Sequence, residues 1–521
     1  MSQKRLAKNI SAMSIAVFFS RILGLIRDQV MAFYFGTTYL NDAFNVAYNL
    51  PNLLRRLFGE GALSSAFVPI YNEIGIKKGK QEQIQFALNI LSVLILFLTV
   101  LTFIGIAFAP LIVKILYPGL PSKTSIIAIK LSRIMFPYLF FIGLSSTFIA
   151  ILNSHDYFFM TGLSSALLNI GMITTILLPA LLSELSNQDL IVWAGWGVFF
   201  GGFLQTIVNL PYLKRIGYKF KIVLKFTGEA ITSLWKRFIP AMIGIGIREI
   251  NLVADALMAS FLPIGSITAL NMGNRLMQLP LGIFGIATGT AILPHYSKNI
   301  TEKNWSELTE SLKFATISLT ALMIPITVII CALGADFVMI LFQRGVFNQH
   351  AALMTTQALF FYSLGLVFYS LNQTITPLFY ANKDTKTPVK IAAYMVGLNI
   401  LLNFILMQFI QHRGLALSTS ITALVNYIIL IILIRKALPE VSYASIPNQL
   451  LKILLINLFL CFFLIMSRRM FSVSNIWILL GVDAILSCIY FLVVFIFYLI
   501  FKVAYTQEIK RNICSKFLRK S

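Results

Sequence analysis

The sequence predicts an all-α polytopic membrane protein of fourteen transmembrane helices. Two parallel six-helix lobes surround a central cavity, and two additional helices follow at the C-terminal end. Three observations predict this. Of 521 residues, 58% are hydrophobic and only 12% charged, about half the charged share of an ordinary soluble domain. Apolar stretches near the ~20 residues needed to cross a bilayer recur from about residue 10 to residue 501. Finally, short motifs recur along the chain at a nearly constant offset.

The candidate spans centre near residues 22, 50, 98, 140, 170, 202, 246, 278, 323, 362, 397, 423, 457 and 488. No interval between them is long enough for a separate soluble domain. The first span follows Lys4, Arg5 and Lys8 and has the outline of a signal peptide. It lacks a clean small-residue cleavage site, and Arg21, Arg27 and Asp28 interrupt its apolar run, so it is read as a retained helix. Arg21 and Asp28 are seven residues apart and share one helix face; Gly24 between them permits a bend or a close neighbour.

The second span carries a polar stripe. Asp42, Asn45, Asn49, Asn52 and Arg56 follow a 3-4-3-4 spacing, with Arg55 beside the inner end. An ionisable group at membrane depth costs at least about 2.5 kcal/mol, so such a stripe faces a water-filled cavity or a polar partner, not lipid. Arg56 reads equally well as an interfacial anchor. Arg133 in the fourth span is read as snorkelling to an interface. Spans seven and eight repeat the pattern: Arg248, Asn251 and Asp255 with Glu249 beside them, then Asn271, Arg275 and Gln278. Pro51 and Pro280 sit inside spans two and eight as candidate breaks or kinks, or as ordinary membrane-helix prolines.

The repeat ties these pairs together. Leu50-Pro51 and Leu279-Pro280 lie 229 residues apart, as do Gly36-Thr37 and Gly265-Ser266, and Asn153 and Asn382. The Ala66-to-Tyr71 motif recurs at Ala291 to Tyr296. A unit of six spans inserts both copies in one orientation, giving lobes related by an axis along the membrane normal. The expected division is residues 1–225, 226–440 and 441–521, the last holding spans thirteen and fourteen and the tail.

The net charge of +23 does not point to nucleic acid. With the N-terminus in the cytoplasm, 28 of the 42 Lys and Arg fall on inner loops and tails, including Lys77/Lys78/Lys80, Lys214 to Arg237 and Arg435/Lys436/Lys452. The opposite loops hold Lys123, Arg344, Arg413, Arg468 and Arg469. That asymmetry is the positive-inside rule, with both termini cytoplasmic and basic clusters touching anionic headgroups. The four cysteines and four histidines are scattered, so neither a disulfide framework nor a metal centre is indicated. No GxxxxGK[ST] motif occurs and the loops are short and basic, so neither an ATP-driven pump nor an enzyme is expected. Arg21, Arg27, Arg55 and Arg275 then make a cationic lining that outnumbers nearby carboxylates. Guanidinium forks suit phosphate oxygens, so the expected substrate carries a phosphate or diphosphate. The competing reading is that ion pairs such as Arg21–Asp28 and Arg248–Asp255 fix helix packing.

Ser20-Arg-Ile-Leu-Gly-Leu-Ile-Arg-Asp28, Asn41-Asp-Ala-Phe44, Leu50-Pro-Asn-Leu-Leu-Arg-Arg56, Glu60-Gly-Ala62 and Ala66-Phe-Val-Pro69 together resemble the opening of the MurJ (MviN) family of bacterial lipid II flippases. Asn274 to Met277, Gly285 to Pro294 and Lys386-Thr-Pro-Val-Lys390 continue the resemblance, which is weakest in the last two spans. It implies a fourteen-helix member of the multidrug/oligosaccharidyl-lipid/polysaccharide exporter superfamily in the bacterial inner membrane. Such a protein moves lipid II, the undecaprenyl-diphosphate-linked peptidoglycan precursor, to the periplasmic leaflet by alternating access. It implies diphosphate contacts from Arg21, Arg27, Arg55 and Arg275, and an outer-gate position for Asp42. It implies a sodium-coordinating carboxylate at Asp255 and a lipid-tail groove on spans thirteen and fourteen. Cell-wall synthesis proteins are the implied protein partners. Asn49 and Gln278 depart from some members, which carry lysine and glutamate there. Sodium or the membrane potential is the expected drive, since one charge moved through 100 mV is worth about 2.3 kcal/mol.

Overall fold

The computed structural model describes residues 3–56, 62–219, 221–225, 227–471 and 475–506; the side chains of residues 3–12, 14, 17, 62, 241, 243–245, 247 and 248 lie outside that description. Among the described residues every regular element is helical. Lipid offers the backbone no partner, so each segment satisfies its own N–H and C=O groups.

Two compact units form. The first comprises Met1–Thr268 with Arg344–Asn348. It contains α1 (Gln3–Phe35), α2 (Tyr39–Arg55), α3 (Ala62–Lys78), α4 (Lys80–Ala107), α5 (Ala109–Leu116), α6 (Ser122–Met135), α7 (Pro137–Ser154), α8 (Phe158–Leu182), α9 (Asn187–Ile207), α10 (Leu210–Arg215) and α11 (Glu229–Ala259). The second comprises Ala269–Gln343 and Gln349–Ser521. It contains most of α12 (Ser266–Pro280), then α13 (Ala287–Thr301), α14 (Trp305–Phe342), α15 (Gln349–Ser363), α16 (Leu366–Ala381), α17 (Lys386–Ile410), α18 (His412–Ala437), α19 (Ile446–Arg469) and α20 (Ile476–Ile500).

Among the described residues, eleven helical stretches are long and apolar enough to cross a membrane: α4, α7, α8, α9 with α10, α12 with α13, α14, α15 with α16, and α17 to α20. The expected count of fourteen exceeds this by three. Outside the eleven stand the short α5 and α6 together with α1, the α2–α3 pair and α11, which carry Arg21, Arg27, Arg55, Arg56 and Glu249. Element starts repeat as the motifs do. From α2 to α12 the interval is 227 residues, from α3 to α13 it is 225, and from α7 to α16 it is 229. The two prolines behave differently: α2 continues past Pro51 to Arg55, whereas α12 closes at Pro280 and passes through a wider π-helical turn, Leu281–Ile286, into α13. Prolines and π-turns are the recognised causes of such breaks.

Large apolar side chains such as Phe103, Phe409 and Leu492 are more than half exposed, as lipid-facing positions should be. The interior packs large apolar side chains such as Phe67, Phe136 and Leu139 together with small and polar groups, which suit close helix packing in membranes. The Asn209 amide donates to the Gln205 carbonyl at 2.7 Å, and Asn403 bonds Asn399 at 3.0 Å and also Ser418. Helices α8 and α9 touch backbone to backbone: a Cβ on Gly171 would lie 2.8 Å from Gly201 Cα. Gly201→Leu is therefore expected to destabilise the first unit by about 1–3 kcal/mol. Thermal unfolding in detergent checks this, as a lowered midpoint.

Candidate functional site

The polar stripe of α2 meets protein partners within the first unit. At one end Asp42, buried, receives three hydrogen bonds from the start of α12: Gly265 N–H at 2.5 Å, Thr268 N–H at 2.9 Å and Thr268 Oγ1 at 2.7 Å. A carboxylate here satisfies orphan N–H groups and complements the positive end of the helix dipole. Gly265 turns the chain with φ +93°, and a side chain there would press into the Thr37 carbonyl. Asn45 Nδ2 donates to Thr268 Oγ1 at 3.1 Å, and Asn41 Nδ2 ties α2 to the Gly36 carbonyl at 2.7 Å.

At the other end the cations gather. Arg27 pairs with its neighbour Asp28, Nη2 and Nε both reaching Oδ1, at 2.9 and 3.1 Å. This replaces the Arg21–Asp28 pairing that the seven-residue spacing allowed; Arg21 is exposed on α1. Arg27 is mostly buried, 13% exposed against the exposed Arg21, and so lies nearer the buried Asp28. Arg56 Nη1 contacts Glu249 of α11 at 3.3 Å, with Glu249 buried and Arg56 about one-third exposed. Arg56 is thus a cross-helix partner as well as a group at the rim. Arg55 Nε donates to the Asn52 amide oxygen at 2.8 Å, one helical turn back, which fixes the direction of the guanidinium.

That direction is into a cavity of ≈ 310 Å³ in the first unit, lined by Arg55, Tyr48, Tyr138, Ser146, Asn153, Thr161, Ser165 and Gln205 among others. Asn153 Oδ1 accepts from Thr161 Oγ1 at 2.7 Å. The buried Oε1 of Gln205 has no hydrogen-bond partner among the described residues, an uncommon state for a buried acceptor. The arrangement can hold a polar, anionic head while neutral donors and acceptors contact its hydroxyl and amide groups. Sequence reasoning missed Gln205, Thr161 and Ser165. Gln205 carried a usable signal, an amide isolated in the apolar run of α9.

On α11, Asn251 Nδ2 lies 3.4 Å from Asp255 Oδ2, and the buried Asn251 Oδ1 has no hydrogen-bond partner among the described residues. A carboxylate beside an orphaned amide oxygen is a donor set that fits a hard monovalent cation. Arg248 lies outside the described side chains, as does the Glu60-Gly61 part of the opening motif. Arg275 is exposed on α12 in the second unit, where Gln278 contacts Asn274.

The family model described as lipid II flippase MurJ matches residues 31–497. The chain is 35% identical to a probable lipid II flippase MurJ of Buchnera aphidicola subsp. Schizaphis graminum, over 81% of this chain and 82% of that protein. It is 33% identical to the lipid II flippase MurJ of Burkholderia cenocepacia, over 80% and 81%. Among solved structures, a lipid II flippase MurJ in an inward closed conformation matches with TM-score 0.78 at 30% identity, over 93% of this chain and 98% of that one. An inward-facing multidrug transporter of the MATE family matches with TM-score 0.68 at 13% identity, over 83% and 99%; that likeness bears on the fold alone.

Proposed function

The chain belongs to the MurJ family of lipid II flippases, and from that premise we propose that it carries lipid II across the bacterial inner membrane, from the cytoplasmic to the periplasmic leaflet. It is a polytopic membrane protein and a transporter, not an enzyme. The observation that carries the reading is Arg55, hydrogen-bonded to Asn52 and lining a cavity whose other walls include Tyr48, Asn153, Thr161 and Gln205. The diphosphate is held by Arg27 and Arg55, with Arg21 and Arg275 on its path, while the prenyl tail stays in lipid along the helices that follow residue 440. Helices α1, α2 with α3, and α11 cross the membrane as well, with Arg27 paired to Asp28 and Arg56 to Glu249. The six-span repeats form the two lobes, and both termini lie in the cytoplasm.

Transport follows alternating access. Asp42 clasps the start of α12 at the periplasmic end of α2, and the clasp must open for the head to leave. Sodium at Asp255 and Asn251, or the membrane potential, supplies the drive. Asp255→Asn is expected to leave the protein folded and to remove the sodium and voltage dependence of transport. Transport whose rate still follows sodium or potential in that variant would take Asp255 out of the coupling role.

The proposal is tested by replacing the lipid II flippase of a depletable bacterial strain with this chain. Growth and normal exposure of lipid II at the outer leaflet are expected. Lysis on depletion, with this chain present in the membrane, would overturn the assignment.

A further inference from the structure

The second unit contains a partly buried charge cluster, with one fully buried carboxylate, remote in sequence from the arginines above. Arg468, in the last turn of α19, makes a bidentate pair with Asp336 of α14, Nε to Oδ2 at 2.8 Å and Nη2 to Oδ1 at 3.1 Å. Its Nη1 donates to the Phe471 carbonyl at 2.7 Å. A second carboxylate, Asp483 of α20, approaches Arg468 Nε at 3.2 Å. Nε carries a single hydrogen, and Asp336 already receives it. Consequently both Asp483 oxygens are without a hydrogen bond among the described residues, although the residue is 0% exposed.

The charge count does not close. One guanidinium faces two carboxylates, and a buried carboxylate without a partner is far more costly than the same group carrying a proton. Asp336 has the geometry that stabilises an anion; Asp483 does not. The next group along that face of α20 is Ser487, whose hydroxyl is buried and unpartnered. Beyond it Tyr490 donates to Asn457 of α19 at 2.9 Å, and Asn457 donates to Tyr498 at 2.7 Å. Residues 483, 487, 490 and 498 thus make one polar line along an otherwise apolar helix. Arg469 and Cys488 are exposed, Cys461 lies near Tyr490, and Cys331 of α14 lies near Cys461. Among the described residues no set of three or more acidic, His or Cys side chains is arranged for a metal, and Arg468 would repel one.

We propose that Asp483 is a proton-binding site. The bound proton makes the Asp336–Arg468–Asp483 cluster neutral and holds the α19–α20 hairpin against α14. Deprotonation leaves a net negative charge at the contact and loosens it.

The test uses the full chain in lipid nanodiscs and dicyclohexylcarbodiimide, an apolar reagent that modifies protonated carboxyls, with peptide mass spectrometry as the readout. Asp483 is expected to be modified, and its modification to fall about tenfold per pH unit above the midpoint. Asp336→Asn leaves one arginine for one carboxylate, so Arg468 turns to Asp483 and the modification is lost. Asp483→Asn imitates the protonated group: its thermal midpoint should be independent of pH over the range in which the wild-type midpoint falls as pH rises. Three results would overturn the proposal: an unmodified Asp483 at every pH, equal modification with and without Asp336, or protection by sodium at constant pH.

Discussion

Arg55→Ala is expected to cut delivery of lipid II to the outer leaflet by about 10- to 150-fold, while the protein remains folded and in the membrane. The range follows from losing one charge-assisted contact to a phosphate oxygen, about 1.5–3 kcal/mol at 1.4 kcal/mol per tenfold. Arg27→Ala would mix two effects. The Nε of Arg55 rests on the neutral amide of Asn52, whereas Arg27 holds the buried carboxylate of Asp28 at 2.9 Å. Removing Arg27 abandons that carboxylate, at about 3–5 kcal/mol, so its loss of transport would be mixed with loss of fold. Arg55→Lys should restore part of the activity, because a lysine returns the charge without the planar fork. Outer-leaflet lipid II in membranes matched for protein level is the measurement. Equal transport by wild type and Arg55→Ala would remove the diphosphate from this wall of the cavity.

Asp42→Ala is expected to have an effect of similar size but another kind. Two backbone N–H groups and a hydroxyl lose a buried anionic acceptor. Each orphaned donor costs about 1–3 kcal/mol, so the clasp between α2 and the start of α12 opens. A thiol reporter at Thr37→Cys, beside Gly265, should be modified at least about tenfold faster when Asp42 is alanine, a population shift of about 1.4 kcal/mol or more. Transport should fall because the carrier no longer returns to the closed arrangement. Unchanged thiol reactivity with normal transport would reduce Asp42 to a dispensable cap.

Much of this was legible in the sequence because the bilayer makes polarity informative. The α2 stripe declared that Asp42, Asn45, Asn49, Asn52 and Arg56 need partners. It did not declare which, because Thr268 lies 226 residues from Asp42 and 223 from Asn45, and Glu249 lies 193 from Arg56. The stripe also did not lie on a single surface of water. Asp42 is taken up by protein, whereas Arg55 lines a cavity. Spacing offered Asp28 to Arg21, yet the adjacent Arg27 holds it, since two long side chains from neighbouring positions can still converge on a buried carboxylate. Arg468 read as an outer-loop charge that helped set orientation. Its two carboxylates, Asp336 and Asp483, were visible as isolated acids in apolar runs, the same signal that made α2 conspicuous. Helix breaks were harder: Pro51 and Pro280 look alike in sequence, and only the latter ends its helix, where the chain widens through Leu281–Ile286.

The central claim is that this chain moves lipid II through a cavity in which Arg55 holds the diphosphate. It is tested most directly with purified protein in proteoliposomes containing head-labelled lipid II in both leaflets and an impermeant quencher outside. Wild-type vesicles are predicted to lose the protected inner-leaflet signal, and Arg55→Ala vesicles to retain it. Inner-leaflet signal that persists with wild-type protein, under sodium and potential gradients of either sign, would contradict the account.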